Sequence, residues 1–537
     1  MPSITKKSQN YNTAKLWRDA IHNASSAACP VLYVFIGNHI PYANEASPDS
    51  IVDTISDEKT IWDNMYAAKR VTGSDTELVL PRINWTANTN YRQYDDTIEL
   101  SELVSANSSQ NIKPMYVITT DRNVYKCISN NASANSTVQP TGDYTTSNGN
   151  IATADGYIWK YMYNVKPSNK YLTDLWIPTP QSTSFLDYNV DDSGVVDGEL
   201  TTIVVTDSGV NYRQASNISV DQFTSGQTSL RLSNTALTLE IFNIPTLANL
   251  TNLTISGTGI ATDTYIDAIS NTTGVITLST STIASGGTSN NITISTRIYI
   301  DGDGTGAVAN AVLSNTSSGV DSANANISRI TVSTIGTGYS RANAFVYGSG
   351  SGANTRVIIA PKFGHAFNPA EELVANSVMF ASRIGEIDST ESGIISVDTS
   401  FRQFGLLRNP YKYGSANAVT VTTANTVVSQ TTDLGVVAGL NYTLNEYVYQ
   451  GSSANNALAY GYLNAQSSNE VRLTNVKGTF SAGLALIGAT SGVSRTVTTV
   501  SNPDLEPYTG DILYVENAIK TDRAEGQAEN IKIIISF

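Results

Sequence analysis

The stretch that most constrains the fold is Asp155-Gly156-Tyr157-Ile158-Trp159-Lys160-Tyr161-Met162-Tyr163-Asn164-Val165. Asp-Gly marks a tight turn, and the residues after it alternate strictly. Tyr157, Trp159, Tyr161 and Tyr163 share one face of a strand; Ile158, Met162 and the aliphatic stem of Lys160 share the other. A strand with two apolar faces belongs to a sheet covered on both sides, by a core and by a second layer or a partner chain. It reads as an intramolecular core strand. The alternative is that some of its aromatics anchor a protein–protein interface, where Tyr and Trp are enriched. No catalytic chemistry requires such a ribbon.

The rest of the composition bounds the partners. With 537 residues the chain is long enough for roughly two to four domains. Lys+Arg 32 against Asp+Glu 46 gives a net charge of −14, and no basic run occurs. Nucleic acid and anionic membranes both reward clustered Lys and Arg, so neither is expected as a partner. Polarity comes from Asn, Ser, Thr and Gly interleaved with short β-branched runs, which favours strands over disorder. Cys29 and Cys127 cannot make a disulfide framework, have no nearby Cys-x-x-Cys or His partner, and read as inert core thiols. Met1 to Lys7 lacks an apolar signal region and no window approaches 18 apolar residues, so neither secretion nor a membrane span is expected.

Taken in order, the chain reads as one mainly β core domain interrupted twice, a β-sandwich-like core with a few short helices near the N-terminus. Residues 1–190 form its first part. Asn12 to Ile21 predicts a helix with Leu16, Trp17, Ala20 and Ile21 as its apolar stripe. Asp57-Glu58 begins a second, with Ile61, Trp62, Met65 and Ala68 at helical spacing and Lys69-Arg70 at its end. Met115–Ile118 and Asn123–Ile128 read as a hairpin across Thr120-Asp121-Arg122. From about 191 to 360 the chain becomes short β runs with hardly any helix signal, an inserted all-β block. It holds an internal repeat, Ile203–Tyr212 against Ile330–Tyr339, each a strand, a Gly turn and a Tyr that can fold back over the turn. A separate meander, about 235–298, is nested between the copies. Residues 361–414 return to core character, 415–502 form a second inserted β domain marked by Tyr447-Val448-Tyr449, and 503–537 supply C-terminal core strands. The apolar end Ile531–Phe537 is expected to be buried.

The search for chemistry finds no constellation above background. The three histidines, His22, His39 and His365, have no ligand spacing. Asp301-Gly302-Asp303-Gly304 resembles the start of a calcium loop, but the closing Glu is absent, so a Gly-rich turn is the favoured reading. There is no P-loop lysine and no G-x-S-x-G elbow. Asp191 and Asp192 are adjacent and would point to opposite strand faces, which suits a solvated turn better than a glycosidase pair. The Asn-x-Ser/Thr triplets at Asn249, Asn252 and Asn271 reflect composition. The expectation is a structural or binding protein, not an enzyme, with no catalytic residues, no cofactor, no metal and no small-molecule substrate.

Several segments in order carry a resemblance: Phe35-Ile36-Gly37 with Pro41-Tyr42 and Asn44-Glu45; Trp62-Asp63-Asn64-Met65 with Lys69 and Val71; Pro81-Arg82 with Trp85; Val124-Tyr125-Lys126-Cys127; Asp155 to Tyr161; Phe401-Arg402-Gln403 with Asn409-Pro410; and Gly510 to Asn517. Together they resemble the baseplate wedge protein encoded by gene eight of T-even-type contractile-tailed bacteriophages. This chain would be an enlarged member with inserted β modules of the cyanophage-type myovirus kind. The resemblance implies a mainly β, non-enzymatic subunit that forms a homodimer within each wedge. It would contact the other wedge subunits and help control sheath contraction. It places the protein in the tail baseplate of a virion, after synthesis in the bacterial host cytoplasm. Ala518 stands where the family commonly has Arg, and the two inserted blocks have no counterpart in shorter members; they are expected to lie on the outside of the plate or to bridge to neighbours. Trp62, Arg82, Trp85 and Arg402, within the family-like segments, are the candidate protein-interface residues. The alternative function is a receptor-binding tail-fibre or tail-tip protein recognising host surface carbohydrate, for which no trimeric shaft repeat is found. A glycan-degrading enzyme on a β scaffold is the remaining alternative.

Overall fold

The computed structural model describes residues 9–22, 30–146, 149–180, 188–189, 194–286, 291–314, 325–385, 395, 399–415, 420–421, 427–439, 441–524 and 526–537. The fold is mainly β. Contacts divide the chain into two compact units, a middle unit of Pro81–Val374 and an N/C unit of Gln9–Leu80 with Ala375–Phe537.

In the middle unit, strand Ile158–Val165 pairs antiparallel with Asn123–Ser129 on one side and with Asn150–Ala152 and Tyr188–Asn189 on the other. Tyr116–Ile118 completes the sheet as the expected hairpin partner of Asn123–Ser129. Tyr157, Trp159, Tyr161 and Tyr163 are all buried within the chain. Tyr157 stacks on Trp159 at 5.4 Å, Tyr91 meets Trp159 edge-on at 5.4 Å, and Tyr125 meets Tyr161 at 5.9 Å. The ribbon is therefore a core strand, and the interface alternative for its aromatics falls. The turn before it is fixed by Asp155, whose carboxylate accepts from Thr137 N, Val138 N and Ser136 Oγ at 2.7, 2.9 and 3.1 Å. Gly156 takes φ +85°, where a Cβ would meet Asn131 Nδ2 at 2.7 Å.

The internal repeat folds into an interleaved pair. Leu200–Val210, which opens the first copy, pairs with Ser351–Ile359, which closes the second. Ile327–Thr337, which opens the second, pairs with Thr305–Leu313, which closes the first. The middle strands, Arg297–Gly302 and Ala342–Tyr347, pair with each other. Both tyrosines do fold back. Tyr212 Oη accepts from Ala353 N at 3.3 Å and Tyr339 Oη from Ala307 N at 3.4 Å. Each ring lies on glycines of a second repeat that the sequence reading missed, Gly302-x-Gly304-x-Gly306-Ala307 and Gly348-x-Gly350-x-Gly352-Ala353. A Cβ on Gly304 would lie 2.4 Å from Tyr339 Cγ, and one on Gly350 2.7 Å from Tyr212 Cγ. The glycines are there to seat the rings. Asp303 serves the same turn: its carboxylate accepts from Ser340 N at 2.9 Å, Arg341 N at 3.1 Å and the Ser340 hydroxyl, which hold its pKa well below the usual range.

The nested meander has its own core around Phe223, Phe242, Leu250, Ile276 and Ile292. It contains a helix, Thr235–Phe242, where none was expected. Thr235, Thr238 and Ile241 suit a strand, but Ala236, Leu237, Leu239 and Glu240 favour a helix, and the Asn234 side chain caps it, accepting from Leu237 N at 3.1 Å.

In the N/C unit one sheet has the order Val427–Ser429, Met65–Arg70, Leu32–Gly37, Ser400–Arg408, Asp511–Asp522. A second pairs Thr76–Pro81, Ser377–Ile384 and the C-terminal strand Glu529–Ser536, which buries Ile531 and Ile533. Residues 432–501 supply a closed six-stranded barrel. Two helix expectations need correction. The first helix, Gln9–His22, buries Tyr11, Ala14, Arg18 and Ile21, while Leu16 is 70% exposed, because Arg18 turns inward to within 3.9 Å of Glu77. The second ends at Asn64; Met65–Arg70 is a strand buried on both faces, since pairing with Leu32–Gly37 overrides the helical spacing of Met65 and Ala68. Cys29, Asp191 and Asp192 lie outside the described residues.

Gly304→Ala should lower the stability of the repeat module by about 2 kcal/mol or more, the cost of overpacking against a fixed ring. Gly385→Ala, with nothing within 4 Å of the added carbon, should be near neutral. Thermal melts of the two variants against the parent chain check this.

Candidate functional site

The four candidate interface residues are each held within their own unit. Trp62 is buried among Tyr33, Phe35, Met65 and Leu407. Arg402 is buried; its Nε donates to both oxygens of Glu45 at 2.8 and 3.0 Å, and its Nη1 to His39 O at 2.7 Å. Arg82 donates to Asn84 Oδ1 and Thr173 O, both at 2.9 Å. Trp85 is half-buried and donates to Ser136 Oγ at 3.2 Å. Trp62 and Arg402 belong to the N/C unit, Arg82 and Trp85 to the middle unit.

The strongest electrostatic feature is in the middle unit and was missed. Lys160 is not a stem with a wet head: it and Lys126 are direct neighbours across the sheet, on one face, and both are fully buried. Two ammonium groups so placed need acids. Lys126 Nζ donates to Glu372 Oε2 at 2.7 Å and to His365 Nδ1 at 3.0 Å, and lies 4.1 Å from the centroid of the Tyr94 ring. Lys160 Nζ donates to Gly194 O at 2.8 Å and approaches Glu199 Oε1 at 3.4 Å. Burial, then the Lys126 charge, push His365 down to about 3, so the ring is neutral with its proton on Nε2. Burial alone would raise Glu372, but the Lys126 charge and its hydrogen bond outweigh it and hold the carboxyl well below its ordinary value. Glu199 goes the other way: burial raises it, and only one of its oxygens is partnered. Each acid comes from the repeat module's flanks, at Glu199 before its first strand and Glu372 after its last. The cluster is therefore a lock between sheet and module. A lysine at the centre of an otherwise apolar alternating strand, twice, was the signal in the sequence. Cys127, on the same strand, is buried and burial pushes its thiol well up, which fits an inert core thiol.

The exposed chemistry is aromatic. On the barrel, Tyr447, Tyr449, Tyr460 and Tyr462 are half-buried on the outward face of two paired strands, with Tyr447 5.1 Å from Tyr460 and 5.8 Å from Tyr462. On the repeat module, Tyr299, Phe345 and Tyr347 are 38, 48 and 38% exposed on one sheet face. Arg297 lies among them, its guanidinium carbon 3.5 Å from the Tyr265 ring centroid and 5.3 Å from that of Tyr299. The middle unit also holds a cleft of about 580 Å³ lined by Asn131, Ser133, Thr201, Ile203 and Arg329 among others. One wall is Asn131-Ala132-Ser133, three consecutive residues at φ +50, +57 and +65°. Among the described residues no group of three His, Cys, Asp or Glu could hold a metal ion, and no helix is long and apolar enough to cross a membrane. No protein-family model and no curated protein matches the sequence.

Lys126→Met, which leaves Glu372 buried without its cation, should destabilise the middle unit by about 3–5 kcal/mol. Adding Glu372→Leu should recover most of that loss, as read by denaturant titration of the single and double variants. His365 supplies a pH test. Its pKa in the fold is depressed, so its contribution is whole above the unfolded value of 6.5 and is lost as pH falls toward about 3. Between roughly pH 6 and 5 the slope should approach about 1.4 kcal/mol per pH unit. Hydrogen exchange in peptides covering Asn123–Ser129 and Ile158–Val165 should report it, and His365→Gln should flatten it.

Proposed function

We propose that this chain is a structural subunit of a contractile-tail baseplate wedge, dimeric and non-enzymatic. In this role it contributes to plate assembly and to control of sheath contraction. The observation that carries the reading is that the residues bearing the resemblance touch one another. Strand Leu32–Gly37 pairs with Ser400–Arg408, which pairs with Asp511–Asp522, so three remote family-like segments are neighbours in one sheet. Their side chains interlock as well: Tyr42 Oη donates to Arg402 O at 2.9 Å, Arg402 pairs with Glu45, and Gln403 Nε2 donates to Asn517 Oδ1 at 2.8 Å. In the middle unit Cys127 faces Trp159 and Lys126 faces Lys160, joining two further segments. Scattered matches with no common role would not be expected to fall into such constellations. The outward tyrosines of the barrel support an assembly role, because half-exposed Tyr is enriched where proteins meet.

Light scattering of the purified chain should give a mass near twice 57.4 kDa, rising further when the other wedge proteins of the same phage are added. A trimer indifferent to those proteins would sink the reading and favour the tail-fibre one.

A further inference from the structure

The two copies of the repeat are related by a local two-fold axis, which follows from register alone. Gly302-x-Gly304-x-Gly306-Ala307 corresponds to Gly348-x-Gly350-x-Gly352-Ala353, so Arg297 corresponds to Asn343, Tyr299 to Phe345 and Asp301 to Tyr347. The observed pairs are Arg297 with Tyr347, Tyr299 with Phe345 and Asp301 with Asn343. The first and last pairs exchange under the repeat and the middle one maps onto itself. The pair Tyr299/Phe345 therefore sits on the axis, the two rings nearly parallel (27°) with centroids 6.3 Å apart. Alternation places all six side chains on the solvent face of the sheet, while Ile298, Ile300, Ala344 and Val346 face the module core.

The symmetry is broken in a chemically useful way. At one end stand Arg297 and Tyr347, at the other Asp301 and Asn343, about 13 Å apart along the strand. Arg297 is held between the Tyr265 and Tyr299 rings, and its Nε is buried with no hydrogen-bond partner. Its only charged influence of note is on Asp263, whose carboxyl it lowers against the larger raising effect of burial; no carboxylate among the described residues reaches ion-pair distance of Arg297. A guanidinium positioned by aromatic faces, with unused N–H groups, is complementary to an anionic group. On the neighbouring strand Val308 and Val312, either side of Asn310, share this face with the aromatic platform. Asn310, directly opposite Arg297, and Thr331 and Ser333 beyond it continue the face as small polar groups. Rings with a guanidinium, amide, carboxylate and hydroxyl groups within the same face suit an acidic saccharide, whose C–H faces stack on aromatics while its hydroxyls take hydrogen bonds.

We infer that the face formed by Arg297, Tyr299, Asp301, Asn343, Phe345 and Tyr347 binds an acidic oligosaccharide, its carboxylate on Arg297 and its sugar rings on Tyr299, Phe345 and Tyr347. This stands whether or not the chain assembles into a wedge. The test is calorimetric titration of the full chain with tetragalacturonic acid and, in parallel, with neutral cellotetraose. The acidic oligomer should bind at least tenfold more tightly, with the preference shrinking as salt is raised. Arg297→Gln should abolish the preference, Phe345→Ala should weaken both ligands tenfold or more, and Tyr449→Ala on the barrel should change neither. Phe345 is exposed, so an unchanged melting temperature for its variant separates lost binding from lost folding. Three results would overturn the inference: no binding of the acidic oligomer, binding indifferent to Arg297→Gln and Phe345→Ala, or loss of protein association in Phe345→Ala with no saccharide binding at all.

Discussion

Two ammonium groups facing each other in a dry interior are the constraint on which the middle unit depends. Lys126 and Lys160 repel one another across neighbouring strands, and neither can reach water. The sheet that carries them is therefore incomplete until Glu372 and Glu199 arrive from either side of the repeat module. Ion pairs of this kind add little net stability compared with a well-packed apolar replacement, because desolvation consumes most of the Coulombic gain. Their effect is selective: an arrangement of the module that failed to deliver both carboxylates would leave a buried charge uncompensated. The contacts of His365 and Tyr94 with the Lys126 ammonium tighten that requirement further.

How legible this was in the sequence depended on whether a feature was local. The alternation after Asp155-Gly156, the hairpin at Thr120–Arg122 and the folded-back tyrosines Tyr212 and Tyr339 could be read because each is set by neighbours in the chain. The end of the second helix at Asn64 could not, since Met65 and Ala68 stand at helical spacing and only their pairing with Gly37 and Phe35 makes this stretch a strand. Leu16 was misplaced because burying Arg18 against Glu77 turns the helix, and that partner is remote. The functional surfaces were the least legible. Trp62 and Arg402 drew attention by lying in the family-like segments, and within their unit both are buried. Tyr299 and Phe345 meet only through a register between strands that the repeat creates, and the glycine half of that repeat was visible once the tyrosine rings showed what the glycines accommodate.

A common thread joins the interior and the surface. Several polar groups of each unit are gathered into local sets: Arg402 with Glu45 and His39, Lys126 with Glu372 and His365, Asp155 with five backbone or hydroxyl donors. The outward faces of the barrel and of the repeat module are by contrast rich in aromatic side chains, carried on strands whose other face is packed. Rigid sheets presenting Tyr and Phe lose little conformational entropy on binding, since those side chains have few rotatable bonds. Such faces suit long-lived contacts with other molecules.

The interleaving of the repeat has a consequence for how the polypeptide is made. Leu200–Val210 finds its partner only in Ser351–Ile359, the last strand of the module. On the ribosome, chain grows at about 5–20 residues per second. The opening strand must therefore wait on the order of ten seconds or more, with its hydrogen-bonding edge unfilled. The nested meander, complete by Asn291–Ser295 with a core of its own, can condense during that interval. It stands between the two halves of the module in time as well as in sequence, a folded spacer already in place when the closing strand emerges.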